Sequence, residues 1–282
     1  MTLAQITREL LIAHNRFPRK SLGQHFLVDP GVVARIISAA GLTKDDLVVE
    51  IGSGLGVITH EIAKHVYHLI AIEVDKELMR ISRDVLQKLD NITFVGQDIL
   101  KTKLEDLTLG RKYKIIGNLP YYITSPIIER IFKAKERPEV AVLMTQKEVA
   151  ERMAASPGSK KYGSFSIFTQ FYADVKLHSL VSKSSFYPWP EVSSAVVVLR
   201  PHQTPKYQVK DEKLFFDIMH TAFQQRRKQL KSSLREYNLK NCGIDLSRRP
   251  ETLSIEEFAK LSNTLTPSLP AGRHGPKGRG GN

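Results

Sequence analysis

Leu47-Val48-Val49-Glu50-Ile51 runs directly into Gly52-Ser53-Gly54-Leu55-Gly56, and a helical pattern follows from about Val57 to Val66. A short apolar run stopped by three alternating glycines reads as a strand, a tight turn and a helix. This is the first βα unit of a nucleotide-binding sheet. No other feature narrows the possible folds as far. Glycine is needed where φ is positive or where main chain must closely approach a ligand. The spacing is G-x-G-x-G, not the dehydrogenase G-x-G-x-x-G, and Glu50 stands at the strand end. A carboxylate there would serve a pyrophosphate poorly and a cationic amino-acid cofactor well.

Three further strands follow the same rule. Leu69 to Ile72 ends at Glu73, Ile92 to Val95 is followed by Gly96-Gln97-Asp98, and Tyr113 to Gly117 delivers Asn118. Open parallel sheets bind ligands just beyond the carboxyl ends of their strands. An acid about twenty residues past the glycines is placed to accept ribose hydroxyls, which assigns Glu73. Asp98 would accept an adenine amine of the same cofactor.

The fourth strand carries Asn118-Leu119-Pro120-Tyr121. An exocyclic amine on a purine is a poor nucleophile because its lone pair is delocalised into the ring. Acceptors for both of its N–H groups draw that pair out of conjugation. The Asn118 side-chain oxygen and the Leu119 carbonyl are two such acceptors. Pro120 restricts the main chain around the second, and Tyr121 offers a face on which a base can stack. Phe186, between the last two strands, either belongs to the core or faces Tyr121 to sandwich an extruded base. Trp189, between Pro188 and Pro190, is expected to be structural.

Charge points to the partner. The 282 residues carry 42 Lys and Arg against 29 Asp and Glu, a formal net charge of +13, which favours a polyanion. The cations cluster at Arg16 to Lys20, at Lys160-Lys161, at Arg226-Arg227-Lys228 with Lys231 and Arg235, and at Arg248-Arg249. If 225–236 is helical, several charges of the third cluster share one face and would meet a nucleic-acid backbone. The single Cys242 excludes an intramolecular disulfide and fits a reducing compartment. The nine histidines have no metal-ligand spacing, so no metal is expected. No apolar run reaches membrane length, and Leu10 to Ala13 is too short for a signal core. A cytoplasmic monomer with no membrane contact is the expectation.

The expected fold is α/β: a Rossmann-like, mostly parallel seven-stranded sheet with an antiparallel last strand, plus a small all-α C-terminal domain. Met1 to Asn15 reads as a helix, Phe17 to Asp29 as an extended arm over the cofactor, and Pro30 to Ala40 as a helix opened by Asp29. Glu139 to Met144 is the fifth strand, and Lys147 to Met153 lies in the next helix. Thr169 to Leu177 and Ser194 to Leu199 form a closing antiparallel pair. Ser156 to Gly163 reads as a flexible basic loop. Helices are expected at Asp211 to Phe223, Gln225 to Glu236 and Ser254 to Leu265, with a start signal in Thr252 to Glu256. The predicted domains are 1–200, 201–266 and a disordered basic tail, 267–282.

Four segments together carry a resemblance. Ser21-Leu22-Gly23-Gln24-His25-Phe26-Leu27 matches G-Q-N-F-L, Glu50 to Thr59 matches E-I-G-x-G-x-G-x-x-T, Asn118 to Tyr121 matches N-L-P-Y, and Phe186 to Ser194 matches F-x-P-x-P-x-V-x-S. The chain is similar, over about Ser21 to Leu265, to the bacterial small-subunit (16S) ribosomal RNA adenine N6-dimethyltransferases of the kasugamycin-sensitivity type. That family lies within the class I S-adenosylmethionine-dependent methyltransferases. The resemblance implies S-adenosylmethionine held by Gln24, His25, Leu27, Glu50, Gly52, Gly54, Gly56, Glu73, Asp98 and Asn118. It implies an adenine site of Asn118, Leu119, Pro120, Tyr121 and Phe186. RNA would be held by Arg226, Arg227, Lys228, Lys231 and Arg235. His25 stands where the family usually has Asn, and Ser53 where it often has Pro. The implied substrate is a pair of adjacent adenosines near the 3′ end of 16S rRNA in a pre-30S particle, a role in ribosome biogenesis. A large-subunit rRNA target and a non-catalytic RNA-binding assembly factor are the alternatives.

Overall fold

A computed structural model describes residues 1–19, 23–239 and 242–265. Lys20, Ser21, Leu22 and the predicted tail lie outside these. In chain order the elements are α1 Leu3–Ala13, β1 Phe26–Leu27, α2 Pro30–Ala40, β2 Leu47–Ile51, α3 Val57–Ala63, β3 His68–Ile72, α4 Lys76–Val85 and β4 Ile92–Val95. Then come α5 Leu104–Thr108, β5 Lys114–Asn118, α6 Thr124–Phe132, β6 Val140–Gln146, α7 Lys147–Met153, α8 Ser164–Tyr172, β7 Ala173–Val181 and β8 Phe186–Tyr187. The last four are β9 Ser194–Pro201, α9 Glu212–Gln224, α10 Leu230–Ser233 and α11 Ile255–Thr264.

Seven strands form one sheet in the order β4-β3-β2-β5-β6-β9-β7. The first five run parallel, and β9 is antiparallel to both β6 and β7. The fold is therefore the expected one, with its one reversed strand inserted next to the edge. Every residue of β2 is buried, as a central strand covered on both faces must be. Each fully buried aliphatic side chain there contributes about 1.5–3 kcal/mol. Val32, Val33 and Ile36 of α2 and Ile58 and Ile62 of α3 pack in the same core as Val48, Leu69 and Ile116. Strand order reverses beside β2, whose neighbours β3 and β5 lead away in opposite directions. That is the topological switch point where such sheets bind ligands.

Contacts gather the described chain into two compact units. One comprises Met1–Ala155 with Thr169–Lys206, the other Ser156–Phe168 with the residues from Tyr207 onward. The segment 156–168, which the linear pattern leaves in the first domain, thus groups with the helical unit. It is anchored there: the Gly158 N–H donates to the Glu251 carbonyl at 2.7 Å, and Tyr162 is fully buried with its ring edge-on to Phe223. The expected flexible loop is a packed one.

Two predicted elements change. Strand β7 begins at Ala173, because Thr169 to Tyr172 finishes helix α8. Phe165, Phe168 and Tyr172 recur at helical spacing, and Thr169 Oγ1 and Gln170 Nε2 both donate to the Met153 carbonyl, at 3.2 and 2.9 Å. The helix expected over 225–236 shrinks to the four residues of α10. Its first N–H groups are taken by another segment, Leu230 by the Arg248 carbonyl at 2.9 Å and Lys231 by that of Leu246 at 3.1 Å. Helix α11 starts one step later than its signal, with Ser254 and Glu257 closing a reciprocal capping box.

Helix α2 matches its prediction because its start is locally encoded. The Asp29 carboxylate accepts from the N–H groups of Gly31 (2.9 Å) and Val32 (3.2 Å), and from Ser185 Oγ (2.8 Å). The Ser185 bond, with help from the two backbone donors, holds the Asp29 pKa below its ordinary value. Asp29→Ala should cost about 1–2 kcal/mol in urea unfolding at neutral pH. Its stabilising effect is present above the ordinary carboxylate range and fades as pH falls through the lowered pKa, so the gap between variant and parent should close below about pH 4.

Candidate active site

A cleft opens at the carboxyl ends of β2, β3 and β5. Its walls come from the arm (Gly23 to Leu27), the glycine turn (Gly52 to Leu55), Glu73, Gln97 to Ile99, and Asn118 to Ile123. The four strand ends predicted to converge do converge, and the arm joins them.

The turn needs its glycines for two reasons. Gly56 has φ +85°, and a Cβ there would sit 2.6 Å from Ser82 Oγ and 2.9 Å from Leu86 Cδ1. Gly54, at φ +56°, points its N–H at Glu73 Oε2, 2.9 Å away. The other Glu73 oxygen accepts from the Asp75 N–H at 2.9 Å. Glu73 thus ties the first strand's turn to the second strand's end, and burial raises its pKa.

Glu50 is the anomaly. It is 1% exposed, and neither carboxylate oxygen accepts a hydrogen bond among the described residues. Burial pushes its pKa up to about 8, against the opposing pull of the nearby Thr59 hydroxyl and with the Glu73 charge adding to the rise. A buried carboxyl without partners is costly, and its place at the end of β2 suits a cationic guest. Asp98 offers a similar but more open acceptor. One oxygen takes the Leu100 N–H at 2.9 Å, and the other has no partner among the described residues.

On the opposite wall, Asn118 Nδ2 donates to the His25 carbonyl at 2.9 Å. A carbonyl can only accept, so this bond fixes the amide's orientation and leaves Oδ1 an acceptor with no partner among the described residues. The Leu119 N–H is spent on the Met144 carbonyl (2.9 Å), while its own carbonyl accepts no hydrogen bond among the described residues. The Pro120 carbonyl accepts from the Ile123 N–H and Thr124 Oγ1, both at 3.2 Å, which holds the chain after the turn. Tyr121 shares a 2.6 Å hydrogen bond with Ser194 Oγ, and its ring lies 6.1 Å from that of His25 at an angle of 23°. Burial raises the Tyr121 pKa. His25 Nδ1 lies 2.9 Å from the Pro188 carbonyl, so that nitrogen carries the proton.

Phe186 corrects the expected base sandwich. It is 1% exposed, pairs with Leu27 between β1 and β8, and packs with Val181 and Val196 in the core, off the cleft walls. The ring that faces Tyr121 is His25. Trp189, expected to be structural, is 71% exposed. Sequence reasoning also missed Asp75, whose carboxylate caps α4 and draws Arg16 (3.2 Å) and Arg19 (3.5 Å) across to secure the arm. Gln24 joins the same knot, accepting from the Arg19 N–H at 2.8 Å and donating to Asp75 at 3.4 Å. The D-K-E capping signal at Asp75 was legible, but its distant arginine partners were not. Ser194, likewise unassigned, sat inside a quoted motif.

Residues 15–266 match the family model described as ribosomal RNA adenine dimethylase. The chain belongs to that family. It is 40% identical over 282 residues to the ribosomal RNA small subunit methyltransferase A of Enterococcus faecalis, covering 94% of this chain and 96% of that one. The enzyme of the same name from Clostridioides difficile is 41% identical over 274 residues, covering 92% and 94%. Among solved structures, a dimethyladenosine transferase from Plasmodium falciparum superposes with a TM-score of 0.72 at 26% identity, covering 84% of this chain and 96% of that one. The 23S rRNA methyltransferase ErmE superposes at 0.69 and 25% identity, covering 84% and 98%. Membership makes the chain an rRNA adenine dimethyltransferase of the S-adenosylmethionine-dependent class.

The basic cluster of this dimethylase lies in its helical unit. Arg226 is a brace, reaching Glu251 at 3.2 Å and the carbonyls of Ser159 and Lys160 at 3.3 and 2.8 Å. Arg227, Lys228, Lys231 and Arg235 are exposed, the first two in the turn before α10, Lys231 within it and Arg235 in the turn after it, rather than along one long helix face. Among the described residues, no helix is long and apolar enough to cross a membrane.

Glu50 generates a stability test on the ligand-free protein. The folded state keeps a proton that the unfolded chain releases at about 4.5, the ordinary value, while the folded group holds it to about 8. Stability from this residue is therefore lost as pH rises through that window. At roughly 1.4 kcal/mol per unit, the loss should reach a few kcal/mol. Denaturant unfolding at pH 5 and pH 8 should show a smaller drop in Glu50→Gln than in the parent.

Proposed function

We propose that this dimethylase transfers methyl groups to the N6 amines of two adjacent adenosines near the 3′ end of 16S rRNA, in an assembling small ribosomal subunit. It acts as a cytoplasmic monomer. The names and identities of its bacterial relatives support the small-subunit target. The observation that carries the chemistry is the pair of acceptors at the cleft wall: Asn118 Oδ1, held outward by the His25 carbonyl, and the unengaged Leu119 carbonyl.

The residues present fit S-adenosylmethionine. Glu50 brings an unpartnered buried carboxyl to the glycine turn, Asp98 a free oxygen for an amine, and Glu73 remaining lone pairs for ribose hydroxyls. Gly52, Gly54 and Gly56 allow close main-chain approach, while Gln24, His25 and Leu27 close over the cleft from the arm. When bound, that cofactor supplies a methyl group activated by a sulfonium.

Everything else falls to the chain. Tyr121, steadied by Ser194, stacks the extruded adenine, an interaction of about 1–3 kcal/mol. Asn118 Oδ1 and the Leu119 carbonyl accept the two N6 hydrogens, so the amine's lone pair leaves the ring and turns outward. No strong general base is needed, because the methylated ammonium is acidic enough to lose its proton to water. Arg227, Lys228, Lys231 and Arg235, in the helical unit, contact the RNA backbone, with Arg226 holding their segment in shape.

Labelled S-adenosylmethionine offered with unmodified small and large subunits together tests the reading. Label should map to paired adenosines of 16S rRNA, and label confined to large-subunit RNA would overturn the target. Asn118→Ala should lower kcat about 10²–10³-fold, as loss of an oriented transition-state contact does. A variant within threefold of the parent would remove Asn118 from the role given.

A further inference from the structure

Trp189 is the only tryptophan in the chain and is 71% exposed. A Trp side chain can bury roughly 150–250 Å² of largely apolar surface, so leaving it in water needs a reason. Its segment is firmly held. Phe186 and Tyr187 pair with Leu27 and Phe26, the Pro188 carbonyl accepts from His25 Nδ1 at 2.9 Å, the Glu191 carbonyl accepts from Lys183 Nζ, and the Ser193 carbonyl accepts from the Lys147 N–H at 2.9 Å. Prolines on both sides narrow the backbone further. An indole displayed from so fixed a frame is preorganised for a flat partner.

The neighbouring contacts say which partner. The carbonyl one residue before Trp189 holds the His25 ring, and that ring faces Tyr121, the surface given above to the target adenine. We propose that Trp189 is a second stacking platform, taking the face of a nucleobase that flanks the target adenosine in single-stranded RNA. Every base has a π-face, so this subsite orders the strand without reading its sequence. It would brace the chain from which the adenine has been turned out. The inference rests on the adenine reading for its place in the reaction, but the contact itself can be measured without catalysis.

With one tryptophan, emission reports on this residue alone. Titrating the full-length protein with a short single-stranded adenosine-rich RNA should quench its fluorescence as the RNA binds, with anisotropy of a labelled copy giving the affinity. Trp189→Ala should weaken that affinity about 5- to 150-fold, the range for loss of one base–aromatic stack, and Trp189→Phe should recover much of it. Unchanged affinity of both variants for S-adenosylmethionine would show that they remain folded. Bound RNA that leaves the emission unaltered, equal RNA affinity of Trp189→Ala and parent, or failure of the RNA to bind would each overturn the proposal. If instead quenching occurs but no label reaches adenosine, the adenine reading fails while the base contact stands.

Discussion

Strand β2 is buried along all five residues and paired on both edges, with β3 and with β5, so its carboxyl end has one set of surroundings. The glycine turn must leave the sheet there. Glu73 must arrive on one side and Asn118 on the other. A parallel sheet aligns strand ends in space even when they are tens of residues apart in sequence. The chemistry at the cleft follows from that alignment, and side chains only refine it.

The arm completes the site by polar contacts rather than by burial alone. Asp75 draws in Arg16, Arg19 and Gln24 at one end, and β1 pairs with β8 at the other. Between these ties the His25 carbonyl meets the Asn118 amide. A main-chain group of the arm thus decides which way a cleft side chain points. It depends little on which side chain stands at residue 25, so His can occupy that position while the backbone contact is kept. Glu50 shows the opposite economy: a buried carboxyl whose oxygens accept no hydrogen bond among the described residues, at a cost to the ligand-free protein.

Much of this was legible in the chain because it is local. The Asp29 cap, the glycine spacing and the strand-end acids depend on neighbours a few residues away, and helix α2 and strands β2 to β6 lie within two residues of their expected ends. Errors fell where distant segments compete for the same groups. Thr169 and Gln170 are strand-compatible until the Met153 carbonyl claims both. Residues 225–229 carry helix formers, yet Arg226 is held by Glu251 and by carbonyls of the 156–168 segment. Of the two readings open for Phe186 the core one holds, and Trp189, expected to be structural, is exposed, because strand pairing with β1 turns one inward and leaves the other in water.

By itself, then, the sequence determined the sheet, its order of acidic strand ends and the acceptor pair at Asn118 and Leu119, since periodicity and turn chemistry act over short range. The tertiary structure alone decided which way the Asn118 amide faces, which aromatic ring lies opposite Tyr121, and which arginines are committed to Asp75. Those outcomes turn on contacts between residues 51 to 163 positions apart, from Gln24–Asp75 to His25–Pro188. Contacts at such separations leave no periodicity for a linear pattern to reveal.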